Sequence, residues 1–416
     1  MKRNSLLVFL IFIIFFVISF LSNILGPIIP DIVDSFDLSI GLAGFLPFAF
    51  FVSYGVMSIP SGIMTEKYRE KKVLFWAFVI AFAGALLFAL VPSFPIALTS
   101  LFLIGIGMAM LQVVINPLLR VAGGEENFAF NSVLAQLFFG GASFLSPLLY
   151  SYLVRNVHSG ESSPIMSLFN SVVPAEMKWV SLYWVFALIA LLMVLVIAVV
   201  RFPAVELRDD ERMGTGETFR ELLSNRMVLL FFLGIFSYVG TEQGIANWAS
   251  KFLQTYHEVD PATTGASVMS YFWGLLTIGC VLGLVLLKFF DSRRVLMAFT
   301  VGAVVALLVA LFGSRETAIF AFPITGFFAS VMWSIIVSLA LNSVPNHHGT
   351  FSGILCSGIA GGAVVPLIIG GLGEVVGLRM AMLFNLFTLG YILSIGFWAK
   401  PLINNATVRS FKDLFK

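Results

Sequence analysis

The sequence predicts an all-α membrane protein of twelve transmembrane helices arranged as two six-helix halves. Three observations carry that prediction. The chain of 416 residues is 59% hydrophobic and 11% charged, with a mean hydropathy of +1.00, whereas a soluble domain carries about twice that charged fraction. Apolar segments of about 20 residues, enough for a helix to cross ~30 Å of hydrocarbon, recur twelve times. The longest strongly charged stretch, ELRDDERMGTGETFRELLSNR at 206–226, falls between the sixth segment and the seventh.

In chain order the segments are 5–30, 40–64, 73–91, 96–119, 128–154 and 181–203, then 227–254, 266–290, 294–313, 318–343, 351–373 and 380–399. The first run is too long for a signal-peptide core and lacks a small-residue cleavage pattern, so a retained helix is expected. This divides the chain into a first half at 1–205, a linker at 206–226, a second half at 227–400 and a tail at 401–416. All Lys and Arg except Arg155, Lys178, Lys251, Arg315 and Arg379 lie at the termini or in loops on the same side. That asymmetry predicts both termini in the cytoplasm of a bacterial inner membrane. The halves also repeat: Phe130–Ala142 and Phe351–Ala363 both end in Gly-Gly-Ala, 221 residues apart, and Gly62 and Lys67 recur as Gly283 and Lys288. Duplicated halves put a site at mid-depth between them. Gly140-Gly141 and Gly361-Gly362 should then mark close helix contacts.

Glu242 is the one acidic side chain deep inside an apolar segment, about 22 Å along the helix from Met227 at ~1.5 Å per residue. A carboxylate there costs at least a few kcal/mol to insert and usually faces a protein-lined path for an ion or substrate. Because Gln243 and Asn247 project ~100° and ~140° away from it in a straight helix, and Gly240 and Gly244 bracket it, a bend or unwound turn is expected between 239 and 247. Segments 1, 4, 7 and 10 should line a central cavity, adding Asn23, Gln112, Asn116, Trp248 and Trp333, with Asn131 and Gln136 from segment 5 and Trp273 from segment 8. Amides both donate and accept, and a flat ring stacks on a sugar's C–H face, so the set suits a neutral polyhydroxylated ligand. Each amide and each tryptophan has an alternative role in helix packing or at the membrane interface.

Several chemistries find no support. Ser, His and Asp do not cluster in a catalytic pattern and no phosphate-binding glycine loop occurs, so no enzyme is expected. Cys280 and Cys356 lie in apolar segments as small packing residues, His347 and His348 lack metal-binding partners, and no cofactor is expected. A net charge of +2 gives no reason to expect nucleic acid. The expected partners are a small-molecule sugar and the lipid bilayer around a monomer.

At these residues the chain resembles the fucose/galactose/glucose:proton symporter family of the major facilitator superfamily. YVGTE at 238–242 resembles that family's glucose/galactose branch, and SLALNSVPNHHGTFSGILCSGIAGGAVVP at 338–366 is similar to its segment 10 to 11. Asn116-Pro117 and Leu134-Ala135-Gln136 are similar to motifs of its segments 4 and 5. The resemblance implies the major facilitator fold and import of a neutral glucose-, galactose- or fucose-like monosaccharide by alternating access, with ion-coupled symport. The fucose branch's acids in segments 1 and 4 are replaced here by Gly26 and Gln112, and its segment 8 Arg by Cys280. Glu242 is left as the coupling candidate, for either a proton or sodium. The alternative is a drug or metabolite exporter of the same superfamily, although FFGGASFLSP at 138–147 fits an antiporter motif poorly.

Overall fold

The computed structural model describes residues 5–124, 128–160, 163–202, 216–344 and 347–402, without the side chains at 66, 116, 128–130, 348 and 349. Asn116 and His348 as side chains, the linker as far as 215 and the tail from 403 onward therefore lie outside the described residues. Among the described residues, twelve helices are long and apolar enough to cross a membrane. They are α1 (Ser5–Phe36), α2 (Ile40–Thr65), α3 (Glu70–Leu90), α4 (Phe94–Gly123), α5 (Asn131–Asn156), α6 (Lys178–Val199), α7 (Arg226–His257), α8 (Pro261–Phe289), α9 (Ser292–Phe312), α10 (Arg315–Leu341), α11 (Thr350–Val376) and α12 (Leu378–Trp398). Short helices at Pro164–Val172 and Gly216–Ser224 lie between α5 and α6 and ahead of α7, and no strand occurs among the described residues.

Small residues bring the helices together, as expected where lipid removes the hydrophobic drive between them. In the first half, a Cβ on Gly105 would stand 2.4 Å from the Phe50 carbonyl oxygen and one on Gly107 2.6 Å from that of Ala77, so α4 packs directly on α2 and α3. Larger rings fill the outer layer: Phe88 meets Tyr183 edge-on at 4.5 Å between centroids.

Two related seams join the halves. Along α5 and α8, a Cβ on Gly140 would collide with the Thr277 side chain; along α2 and α11, a Cβ on Gly55 would stand 3.0 Å from the Ala360 Cβ and one on Gly362 3.0 Å from the Phe51 ring. Gly361 instead abuts α7, where its Cβ would lie 1.9 Å from the Phe236 carbonyl oxygen. The expected close contacts hold for Gly140, Gly361 and Gly362, whereas nothing lies within 4 Å of a Cβ on Gly141.

Helix breaks occur elsewhere than expected. α7 runs as continuous helix from Arg226 to His257, which overturns the bend expected between 239 and 247. Its glycines serve packing: a Cβ on Gly240 would strike Val365 of α11, and one on Gly244 would strike Asn385 Oδ1 of α12. The interruption falls in α1, where regular helix stops at Ser22 and resumes at Leu25. Pro27 explains it, since proline lacks the N–H that would bond the Asn23 carbonyl and its ring crowds that oxygen. A second interruption, at Ser330–Val331 in α10, leaves the Ser330 carbonyl to accept from Cys280 Sγ at 3.1 Å.

Candidate substrate-binding and coupling site

Glu242 is half-buried in the middle of α7 and is held from two sides. Tyr238, one turn earlier, donates its hydroxyl to Oε2, and Gln243 donates Nε2 to Oε1 at 3.1 Å. The network continues around the helix, because Asn247 Nδ2 donates to the Gln243 carbonyl oxygen at 2.8 Å and to its Oε1 at 3.2 Å. A straight helix thus accommodates three polar residues that cannot share one narrow face: they bond to one another in sequence. Only Glu242 of the three keeps appreciable exposure, with Gln243 at 4% and Asn247 at 2%.

The aromatic wall beside Glu242 is Trp333 of α10, a half-buried ring whose centroid lies 6.1 Å from that of Tyr238. Following Trp333 towards the face that carries the termini, Ser334 and Ser338 are exposed one turn apart. Opposite, Gln136 of α5 is exposed one turn beyond the Gly140–Thr277 contact, and Gln112 of α4 is half-buried. Ser334, Ser338 and Gln136 thus keep polar side chains exposed on the terminus-facing parts of α10 and α5.

Other expected site residues sit in packing. Asn23 donates to Ser143 Oγ at 2.9 Å and to Ser19 Oγ at 3.4 Å, tying α1 to α5. Asn131 is 2% exposed, its Nδ2 pressed onto Gly123 of α4. Trp248 is fully buried and donates to the Pro366 carbonyl oxygen at 2.9 Å. Trp273 is 3% exposed and edge-on to Phe272. The structure therefore brings together Glu242, Gln243 and Trp333, adds Tyr238, and assigns Asn23, Asn131, Trp248 and Trp273 to helix interfaces in this state. Cys280, where the resemblance expects an arginine, donates to the Ser330 carbonyl oxygen of α10 and adds no positive charge, and Glu242 is held by two neutral donors.

The opposite face is shut. A Cβ on Gly26 would lie 2.0 Å from the Ala246 carbonyl oxygen, so the second part of α1 rests directly on α7. Beyond that contact Lys251 pairs with Asp34 at 3.3 Å, and Gln254 donates to the other Asp34 oxygen at 3.1 Å. Glu374 of α11 accepts from the Gly41 backbone N–H at the start of α2, at 3.1 Å. The Arg379 guanidinium covers the Tyr256 ring at 4.5 Å.

Sequence reasoning missed Tyr238 as a partner of Glu242, although an i, i+4 pair on one helix face was open to detection. It also missed Asp31, which lies just past the first predicted segment. α1 extends to Phe36, and Asp31 there accepts from the hydroxyl of Tyr150 in α5 at 2.5 Å, across 119 residues that carry no sequence signal.

Comparison with known proteins agrees with this architecture. The Major Facilitator Superfamily profile matches residues 11–355. A glucose/galactose transporter of Brucella abortus biovar 1 (strain 9-941) is 27% identical over 379 residues, covering 89% of this chain and 88% of the relative. An L-fucose-proton symporter of Escherichia coli (strain K12) is 24% identical over 365 residues, covering 84% and 83%. Among solved structures, the E. coli fucose:proton symporter superimposes with a TM-score of 0.65 at 22% identity, over 95% of this chain and 98% of that one. A bacterial homologue of the human lysosomal transporter Spinster, inward-facing and occupied, gives 0.79 at 15% identity, over 96% and 97%. With twelve apolar spans and a profile match over most of its length, the chain is a multi-pass membrane protein and belongs to the major facilitator superfamily.

Proposed function

We propose that the chain imports a neutral monosaccharide of the glucose, galactose or fucose type across the bacterial inner membrane, by alternating access and coupled to an ion through Glu242. The observation that carries this reading is Glu242 itself, a half-buried carboxylate held by Tyr238 and Gln243 beside the Trp333 ring. An acid in that position serves either as acceptor for a sugar hydroxyl or as carrier of the driving ion, and the adjacent ring offers a flat face to the sugar's C–H bonds. The names of the relatives, glucose/galactose transporters and L-fucose-proton symporters, support the substrate class.

On this reading both termini are cytoplasmic, as the distribution of Lys and Arg favours, and the closed face is periplasmic. The state described is then the one that releases sugar into the cell. Return to the periplasm-facing state requires α1 and α7 to part at Gly26 and Ala246, with the α5–α8 and α2–α11 seams acting as pivots. Coupling follows if the return is fast only when Glu242 is neutralised by a proton or sodium, because moving a bare carboxylate through the occluded state costs several kcal/mol. Purified protein in proteoliposomes, given a panel of radiolabelled sugars under imposed proton and sodium gradients, tests the reading. Gradient-driven uptake of at least one neutral hexose or 6-deoxyhexose is expected; transport confined to lipophilic cations or drugs would replace it with the exporter alternative.

A further inference from the structure

The short helix Pro164–Val172, between α5 and α6, takes no part in the proposed cycle, yet its circumference divides into three arcs of different character. At ~100° per residue, Ile165, Leu168 and Val172 fall within ~60° of one another. All three are exposed, at 63%, 65% and 40%. The adjoining arc holds Met166, which is buried, and Phe169, which packs on the core. Opposite these two, Pro164, Ser167 and Ser171 make a third arc, exposed and again ~60° wide. The helix is therefore apolar over two neighbouring arcs, and the protein covers one of them.

His158 fixes where the helix lies. Two residues past the end of α5, it adopts the left-handed region at φ 56° and turns the chain back. Its backbone N–H donates to Asn170 Oδ1 at 2.8 Å, and its ring Nε2 donates to the Val173 carbonyl oxygen at 2.8 Å. The last turn of the short helix is thus held against the end of α5, on the face away from the termini. On α5 itself Leu145, Leu148 and Tyr152 are exposed at i, i+3 and i+7, the stripe of a spanning helix that faces lipid. Tyr152 ends that stripe, and tyrosine collects where hydrocarbon gives way to headgroups. The uncovered arc of the short helix continues this lipid-facing surface at its boundary.

We propose that Pro164–Val172 is an interfacial anchor whose Ile165, Leu168 and Val172 side chains insert into the boundary between acyl chains and headgroups. Ser167 and Ser171 then face water, and Met166 and Phe169 hold the helix to the first half. A helix lying in the membrane plane beside a protein meets lipid, water and protein, and the three arcs supply one surface for each. A protein partner fits the uncovered arc less well, because a stable interface takes about 800 Å² and roughly 20–30 residues from each side. Residues 163–173 carry no charge, so acyl burial rather than headgroup charge supplies the attraction. Because His158 joins the anchor to α5, which forms one of the two seams between the halves, the anchor holds that seam at a set depth in the bilayer.

Site-directed spin labelling tests the placement. Ile165→Cys, Ser167→Cys, Leu168→Cys, Ser171→Cys and Val172→Cys are made singly in a Cys280→Ser, Cys356→Ser background and labelled in phosphatidylcholine nanodiscs. Power saturation compares collision with oxygen, which concentrates in hydrocarbon, and with a nickel chelate, which stays in water. The oxygen-to-nickel ratio should be at least about threefold higher at 165, 168 and 172 than at 167 and 171, as insertion of one arc requires. Nickel collision at 165, 168 and 172 equal to that at 167 and 171 would put the stripe in water and overturn the proposal. Low collision with both reagents at 165, 168 and 172 would show that protein covers the stripe, a second copy or a partner, and would overturn it equally. All five positions are exposed, and should one variant not fold, the other four still separate the arcs. Neither sugar nor ion enters the measurement, so its outcome is independent of the transport reading.

Discussion

Replacing Gly26 by alanine should push the protein out of the state described here and into one open on the face away from the termini. The added Cβ would sit 2.0 Å from the Ala246 carbonyl oxygen and 3.3 Å from the Asn247 Cα. Both atoms belong to the backbone of a continuous helix, so no side chain can swing aside. The helices must instead separate by more than 1 Å, to reach ordinary van der Waals distance. Overpacking of this kind costs about 1–3 kcal/mol. The clash exists only while α1 and α7 touch, so the whole cost falls on one side of the equilibrium, which shifts about 5- to 150-fold. The cost is a small fraction of a domain's usual stability of about 5–15 kcal/mol, so the variant should still fold. Double electron–electron resonance between spin labels on Val91→Cys and Glu316→Cys, exposed positions at the ends of α3 and α10 away from the termini, in a Cys280→Ser, Cys356→Ser background, measures the effect, with a long-distance population raised at least fivefold at neutral pH. A distance distribution identical to wild type would refute the claim that the Gly26–Ala246 contact closes the face away from the termini.

Other substitutions separate the remaining contacts by size. Lys251→Met should open the same gate far less, under about fivefold, because Asp34 is 58% exposed and pairs of that kind contribute about 0–1 kcal/mol; labelling at the same positions ranks the two. Gln136→Ala should weaken sugar binding about tenfold, in line with roughly 1–3 kcal/mol for a buried hydroxyl left unpaired. Unchanged affinity in that variant and in Gln112→Ala, by equilibrium binding of labelled sugar, would move the site elsewhere. Gly361→Leu should impair folding or transport without altering sugar preference, since even a Cβ meets the Phe236 carbonyl oxygen at 1.9 Å; full activity there would contradict the α7–α11 contact.

The fold was legible because the signals that specify it are local. Twelve apolar runs, a charged stretch between the sixth and seventh, and the Gly-Gly-Ala repeat need no tertiary knowledge, and each predicted segment overlaps one of the twelve spans. Glu242 was legible for the same reason, as a lone acid in an apolar run. What composition cannot reveal is the direction in which a glycine or an amide faces. Gly240 and Gly244 read as loosening residues, yet each meets a neighbouring helix, so α7 stays straight. Pro27 had the stronger claim to a break, on the Asn23 carbonyl, but its place near a predicted segment end hid it. Asn23, Asn131, Trp248 and Trp273 share the amide and indole chemistry of Gln136 and Trp333, and only their burial against particular helices separates the two groups. Asp31 fell outside the first predicted segment because two prolines and two aspartates between 27 and 34 resemble a helix end.

The account turns on whether Glu242 couples an ion to sugar movement, and one comparison tests it directly. Wild type and Glu242→Gln are reconstituted in proteoliposomes and assayed for sugar accumulation under imposed proton and sodium gradients, and for sugar counterflow without a gradient. Glutamine keeps the shape and an oxygen acceptor towards Tyr238 but cannot gain or lose the charge. Coupling through this residue predicts that Glu242→Gln retains counterflow and loses accumulation against a gradient, with sodium dependence of the wild type at fixed pH distinguishing sodium from a proton. Accumulation by Glu242→Gln at the wild-type ratio would contradict it, and would leave the carboxylate as a hydrogen-bond acceptor for sugar alone.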